Sequence, residues 1–253
     1  MTLSIVTVCY NAASTIADAV QSVLDQTLPE GWKLEYIVVD GASTDGTLEA
    51  LSAMDAKALQ IISEPDRGLY DAMNKGIEAS SGDVIGILNA DDMHAHPHVL
   101  AHVIRAFEQS GADGVYGDLN YVDAEDPSKV VRRWTAGRYQ PGAFRKGWMP
   151  PHPTLFLKRS CYERMGLFNL SLRSAADYEL MLRMIHRHHI SLEYLPETLV
   201  HMRVGGTSNA SLQNRLRAHR EDWEAWRLNG FTPSPFTMLA KPLRKLPQFL
   251  TRR

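Results

Sequence analysis

Gly82-Asp-Val-Ile-Gly-Ile-Leu-Asn-Ala-Asp-Asp92 carries an apolar run, Val84–Leu88, straight into a pair of carboxylates. An apolar run this short, bounded by turn residues, reads as a strand buried on both faces. Similar β-branched runs stand upstream at Leu3–Val8, Leu34–Val39 and Leu59–Ile62. Between them the period changes. Ile16, Val20, Val23 and Leu24 fall three and four apart, as do Leu48, Leu51 and Met54, and then Leu69, Met73 and Ile77. Strands alternating with helices of this length predict right-handed crossovers and an α/β fold with a mostly parallel sheet. A helix after Pro97 (Val99, Val103, Ile104, Phe107) and a strand at Gly114–Tyr116 complete a Rossmann-like layer over residues 1–120.

The second half has a different character. Asn120–Trp134 predicts a hairpin around Asp123–Ser128, and the Gly-, Pro- and aromatic-rich Arg138–Pro153 predicts a long loop. A strand at Thr154–Lys158, a helix from Ser160 and a helix near Asp177–His188 follow. Short strands at Leu192–Leu195 and Thr198–Met202 then precede a polar helix around Ser211–Leu228. No repeat or linker separates the halves. The expected organisation is one domain over 1–230, with halves 1–120 and 121–230, and a tail at 231–253.

The composition is that of an ordinary globular protein, with 44% hydrophobic residues and a formal net charge of −2 across 253 residues. That excludes disorder, collagen and a disulfide scaffold, and argues against a dedicated nucleic-acid binder. Cys9 and Cys161 sit beside apolar or aromatic neighbours and read as buried free thiols. Met1-Thr-Leu-Ser-Ile-Val-Thr-Val8 does not read as a signal peptide, and no window has the roughly 18–20 apolar residues of a spanning helix. A cytoplasmic protein, at most attached to a membrane surface, is expected.

Ligands of an open α/β sheet bind beyond the carboxyl ends of its strands. Those ends are Cys9-Tyr-Asn11, Asp40-Gly-Ala-Ser-Thr-Asp-Gly46, Glu64-Pro-Asp-Arg-Gly68 and Asn89-Ala-Asp-Asp92. Three of the four bring carboxylates to one edge, which calls for a cation or a donor-rich ligand. Neither G-x-G-x-x-G nor a P-loop is present, so a diphosphate here would be held by metal rather than by a backbone cradle. Asp91 and Asp92 are hard oxygen donors suited to Mg²⁺ or Mn²⁺. Taken alone, such a pair is equally well a turn or a helix cap.

Four stretches occur in order: Ser4–Asn11, Val38–Thr47, Glu64–Ile77 and Gly82–Asp92. Together they resemble the family-two inverting glycosyltransferases with the GT-A fold. Pro151–Phe156, Gly166–Leu180 and Arg203-Val-Gly-Gly-Thr-Ser208 are similar to the branch that builds bacterial capsule, colanic-acid-like or lipopolysaccharide O-chains. The resemblance implies that Asp40 accepts a hydrogen bond from the nucleotide base, usually uracil, and that Tyr10 and Asn11 cup base and ribose. It places Arg67, Asp71, Asn74 and Lys75 along the donor site, and Asn89, Asp91 and Asp92 at the DxD-type metal motif, with Asn89 replacing its first aspartate. Asp177 matches the catalytic base, and Ala176 replaces the Glu that usually precedes it.

Ser174-Ala-Ala-Asp177 also reads as a helix capping box, a role compatible with that of a base. His94, His96 and His98 alternate ahead of a helix and are not expected to converge on zinc as an i, i+4 pair would. His186, His188 and His189 read as structural groups at a helix end. His152, in the Pro-rich loop, is an acceptor-site candidate, and His201 a candidate contact for metal or diphosphate. The resulting expectation is an enzyme that moves a sugar from a nucleotide-sugar, UDP-linked by family habit, to a hydroxyl of a lipid-linked glycan. Mn²⁺ or Mg²⁺ would be its cofactor. Two other readings stay open: a catalytically inactive binding module and a nucleotidyltransferase.

The tail sharpens the membrane expectation. Residues 231–253 contain no acid but carry Lys241, Arg244, Lys245, Arg252 and Arg253, so the body before them carries −7. Phe236, Met238, Leu239, Leu243, Leu246, Phe249 and Leu250 alternate with those cations. This pattern suits peripheral attachment to the inner face of the cytoplasmic membrane, with Pro242 and Pro247 breaking any long helix.

Overall fold

A computed structural model describes residues 1–54, 59–205, 212–234 and 236–237. The apolar runs form β1 (Thr2–Cys9), β2 (Lys33–Asp40), β3 (Leu59–Ser63) and β4 (Val84–Asn89). They pair in parallel in the order β3-β2-β1-β4. The alternating side chains of β1 feed two cores. Val6 and Val8 pack with Met73 and Ile77 of α3 (Leu69–Ala79), while Leu3 and Ile5 pack with Val20 and Val23 of α1 (Ile16–Leu24). A short α2 (Thr47–Ser52) follows β2. Gly76 lets α3 lie directly on the sheet, since a Cβ there would stand 2.2 Å from Val6 Cγ1.

The sheet continues through the second half as β4-β8-β6-β9-β5, with β7 paired to β6. These strands are β5 (Asp92–His94), β6 (Gly114–Val122), β7 (Val130–Trp134), β8 (Phe156–Lys158) and β9 (Leu192–Arg203). Here β6 and β9 are parallel, whereas β8 opposes both β4 and β6 and β5 opposes β9. The helices are α4 (Val99–Ser110), α5 (Arg159–Met165), α6 (Ala176–Met181) and α7 (Leu212–Leu228). One sheet therefore spans both halves of the chain.

Three local expectations are corrected. Residues 192–203 form one strand rather than two, because β6 holds it across register shifts on either side of Asp118. The Ser174 capping box does not form. Glu221 of α7 instead ties down the two residues ahead of α6, accepting from Ser174 N (2.6 Å) and Ala175 N (3.1 Å), and no side chain caps the helix itself. The helix then relaxes into a π-helix over Leu182–Arg187, which buries His186 among Phe144, Trp226 and Phe231. Burial lowers the pKa of His186, so it acts as a neutral core group rather than as a cation at a helix end.

Phe231, the first residue of the tail, packs on Trp226. All five tail cations lie outside the described residues. Among the described residues, no helix is long and apolar enough to cross a membrane.

Candidate active site

The loops leaving β1 and β2 are sewn together. Asn11, in a left-handed conformation with φ 50°, donates its N–H to Ser43 Oγ (2.8 Å) and accepts from Thr44 N (2.9 Å). Ala12 N donates to Thr47 Oγ1 (2.8 Å) and Ala13 N to Asp45 Oδ2 (3.0 Å). These bonds rigidify the turn and leave the Tyr10 ring 66% exposed above it. Gly41 separates that ring from Asp66, since a Cβ at Gly41 would meet Asp66 Oδ2 at 2.4 Å and Tyr10 Cδ2 at 3.4 Å. The Tyr10 ring and the Asp66 carboxylate thus both lie close over Gly41.

Asp40, expected to accept from the nucleotide base, stands at the end of β2. It is fully buried, and its oxygens accept from Ser43 Oγ (2.5 Å), Ser43 N (3.1 Å) and Ser63 Oγ (2.7 Å). Burial alone would raise its pKa, but these donors outweigh it and hold the pKa below the usual value. Asp40 thereby organises the loop ends beneath Tyr10.

At the start of α3, Asp71 accepts from Arg67 N (3.0 Å) and from its guanidinium (2.8 Å). Lys75 bonds Pro65 O (2.8 Å) and pairs with Glu64 (2.7 Å). Asn74 is buried and double-bonded to the backbone of Phe168, donating to its O (3.0 Å) and accepting from its N (2.9 Å). Asp71, Asn74 and Lys75, expected to line the donor site, hold the neighbouring loops in place through these bonds. Arg67 is different, with a side chain 77% exposed.

The acidic strand end divides in two. Asp91 is half-buried. Asp92 is wholly buried in β5, where Oδ2 accepts from Asn89 Nδ2 (2.9 Å) and Oδ1 has no partner. Burial and the neighbouring Asp91 push the Asp92 pKa well above the usual carboxylate range. Asn89 Oδ1 is likewise buried without a partner. Arg203 braces this end, reaching Asp91 O (3.3 Å) and Asp18 Oδ2 (2.5 Å).

His201 stands opposite Met93 in the β5–β9 ladder. Burial and His96 lower its pKa. Asp91, Asp92 and His201 therefore do not assemble as one ligand set. Among the described residues, the grouping of three metal-ligating side chains falls elsewhere, at His96, His102 and Glu197. A hard cation fits at Asp91 if phosphate oxygens and water complete its shell.

Asp177, half-buried near the start of α6, accepts a 3.0 Å hydrogen bond from Tyr70 Oη. Burial, and then Asp177 itself, raises the Tyr70 pKa well above the usual value, so the phenol remains a donor. Tyr70 stacks on Phe168 (centroids 5.5 Å apart), and His152 meets the same ring edge-on (5.6 Å). Burial lowers the His152 pKa, opposed by the field of Asp177. The tertiary fold thus gathers Tyr70, Asp177, Phe168 and His152 at the first turn of α3, next to Arg67. Tyr70 and Asp66 are functional candidates that sequence reasoning missed, although both lie inside a quoted stretch, Glu64–Ile77. Their partners are too remote in sequence to signal the roles.

The mixed sheet flanked by helices, with acids at the ends of its parallel strands, has the GT-A architecture of glycosyltransferases. The chain belongs to glycosyl transferase family 2, whose family model matches residues 4–166, and it is a transferase enzyme. A glycosyltransferase of Mycobacterium tuberculosis, itself described as uncharacterized, is 31% identical over 191 residues, covering 72% of this chain and 68% of that one. A PGL/p-HBAD biosynthesis glycosyltransferase of Mycobacterium bovis is 29% identical over 216 residues, covering 81% and 78%.

Among solved structures, S. aureus TarS 1-349 in complex with UDP-GlcNAc superposes with a TM-score of 0.69 at 17% identity. It covers 90% of this chain, which in turn spans 65% of that TarS chain. The mannosyltransferase PcManGT of Pyrobaculum calidifontis, in complex with GDP-Man and Mn²⁺, superposes with a TM-score of 0.66 at 20% identity, covering 98% and 72%. At these identities the likeness is one of fold.

Proposed function

We propose that the protein is an inverting, metal-dependent glycosyltransferase that uses a UDP-sugar and glycosylates a hydroxyl of a lipid-linked glycan. The observation that carries this reading is the Tyr70–Asp177 hydrogen bond. It holds a partly exposed carboxylate at the amino end of α3, next to exposed Arg67. The donor's base stacks on Tyr10 beside Asp66, and Arg67 offers its guanidinium to the diphosphate. Asp91 would hold Mn²⁺ or Mg²⁺, which would supply positive charge against the diphosphate.

Asp177 takes the proton from the acceptor hydroxyl as its oxygen bonds to the anomeric carbon. The bond from that carbon to the phosphate oxygen breaks on the opposite face, giving inversion and free UDP. His152 and Phe168 form the acceptor wall. The family match, the nucleotide-sugar named with TarS and the Mn²⁺ named with PcManGT support this reading. The glycoconjugate pathway named for the mycobacterial relatives, together with the resemblance to surface-polysaccharide enzymes, supports a bacterial envelope acceptor.

The test is release of UDP from UDP-sugars by the wild type and by Asp177→Asn. Removing a general base costs about 10²–10⁴-fold in turnover, and that loss is expected while the melting temperature is retained. Near-normal turnover in the variant would overturn the mechanism. If no nucleotide-sugar were turned over by the wild type, the inactive-module reading would be favoured.

A further inference from the structure

Away from the donor edge, three side chains converge that no step of the reaction uses. His96 lies in the turn after β5, His102 in the second turn of α4, and Glu197 near the middle of β9. His96 Nε2 is 2.5 Å from Glu197 Oε1, and His102 Nδ1 is 2.9 Å from Oε2. The three ligand atoms all lie within 4.8 Å of one another. We infer that His96, His102 and Glu197 form a second metal site, selective for Zn²⁺ or a similar borderline cation and separate from the hard-cation position at Asp91.

A further observation points to a ligand. His96 Nε2 is buried and its partner is Glu197, whose other carboxylate oxygen takes His102 Nδ1, so one carboxylate gathers both rings where a cation would sit among them. The backbone also presents the carboxylate. In the parallel pairing of β6 with β9, Tyr116 faces Tyr194 but Asp118 faces Thr198, so β9 bulges opposite Gly117. Bulges of this kind re-aim side chains. A Cβ on Gly117 would stand 2.8 Å from Glu197 O, so this glycine is what permits the bulge to approach.

The donor chemistry sets the metal. Two imidazoles and one carboxylate suit Zn²⁺ with one position left to water, whereas Mg²⁺ prefers an all-oxygen shell. His98 falls outside this grouping, with its Nδ1 bonded to Thr27 Oγ1 at 2.9 Å. Binding places the His96 ring proton on Nδ1 and releases the 3.2 Å contact from His98 N–H. The bound ion would clamp the β5–α4 turn to β9, the strand that ends at Arg203. The local sequence hides the site because its third ligand comes from 95 positions beyond His102.

The experiment is calorimetric titration of tag-free, metal-stripped protein with ZnCl₂, without nucleotide-sugar. One equivalent should bind. His102→Ala and Glu197→Gln should each weaken binding by more than about 100-fold, since even an outer partner of a ligand contributes about 10–100-fold. Asp91→Asn and His188→Ala should bind like the wild type. Circular dichroism checks that each variant is folded. Co²⁺ added to the wild type reads the site without any variant, and a four-coordinate visible spectrum is expected. Absence of stoichiometric Zn²⁺ binding, binding that survives both ligand substitutions, or a six-coordinate Co²⁺ spectrum would each overturn the inference.

Discussion

The hydrogen bond between Tyr70 and Asp177 joins side chains 107 positions apart. Under the proposed mechanism it positions the base, so Tyr70→Phe should lower kcat by roughly tenfold, the loss of a hydrogen bond to a charged group. Donor KM should stay unchanged, and steady-state kinetics separates the two. His94 poses a different problem. It is buried against Phe156, and burial takes its pKa down to about 4. In the unfolded chain a histidine titrates near 6.5. Between those values the unfolded state binds the extra proton, so stability falls as pH drops from about 6.5 towards 4. His94→Phe should flatten that fall in urea denaturation followed against pH, while an unchanged slope would reject the assignment. Cys9 is similarly closed to chemistry, as burial and then Asp40 push its thiol up to about 12.

Elements here owe their placement to side chains that reach across the fold. Helix α3 was legible from Leu69, Met73 and Ile77, but not the loops that its polar residues hold. Asn74 is the clearest case. Asn74→Ala leaves the N–H and C=O of Phe168 unpaired in a buried place, which should cost about 2–4 kcal/mol in denaturant unfolding. Acceptor-dependent turnover should fall with it, because Phe168 supports both Tyr70 and His152. The start of α6 makes the same point. A capping box was a reasonable reading of Ser174–Asp177, but no side chain caps this helix, and Glu221 of α7 holds the backbone just ahead of it from 47 positions away. Strand β5 has only three residues, too few for a period, and exists because β9 offers it a ladder.

The molecule joins a parallel layer to a mixed layer through one continuous sheet. If its acceptor is membrane-borne, the basic tail supplies the attachment. Basic residues contribute about 1 kcal/mol each near an anionic surface. Full-length protein should therefore float with anionic vesicles and a truncation after Thr237 should not, whereas equal flotation would reject the tail's role. The sequence alone determined the α/β class, the order of the strands through β4, the family and the acidic strand ends. These follow from local periodicity and from motifs contained in single segments. It could not show that Asp40 and Asp92 turn inward, that Tyr70 holds Asp177, or that His96 and His102 meet Glu197. Burial and hydrogen-bond partners depend on contacts between segments roughly 25 to 110 positions apart, and only the packed chain brings those together.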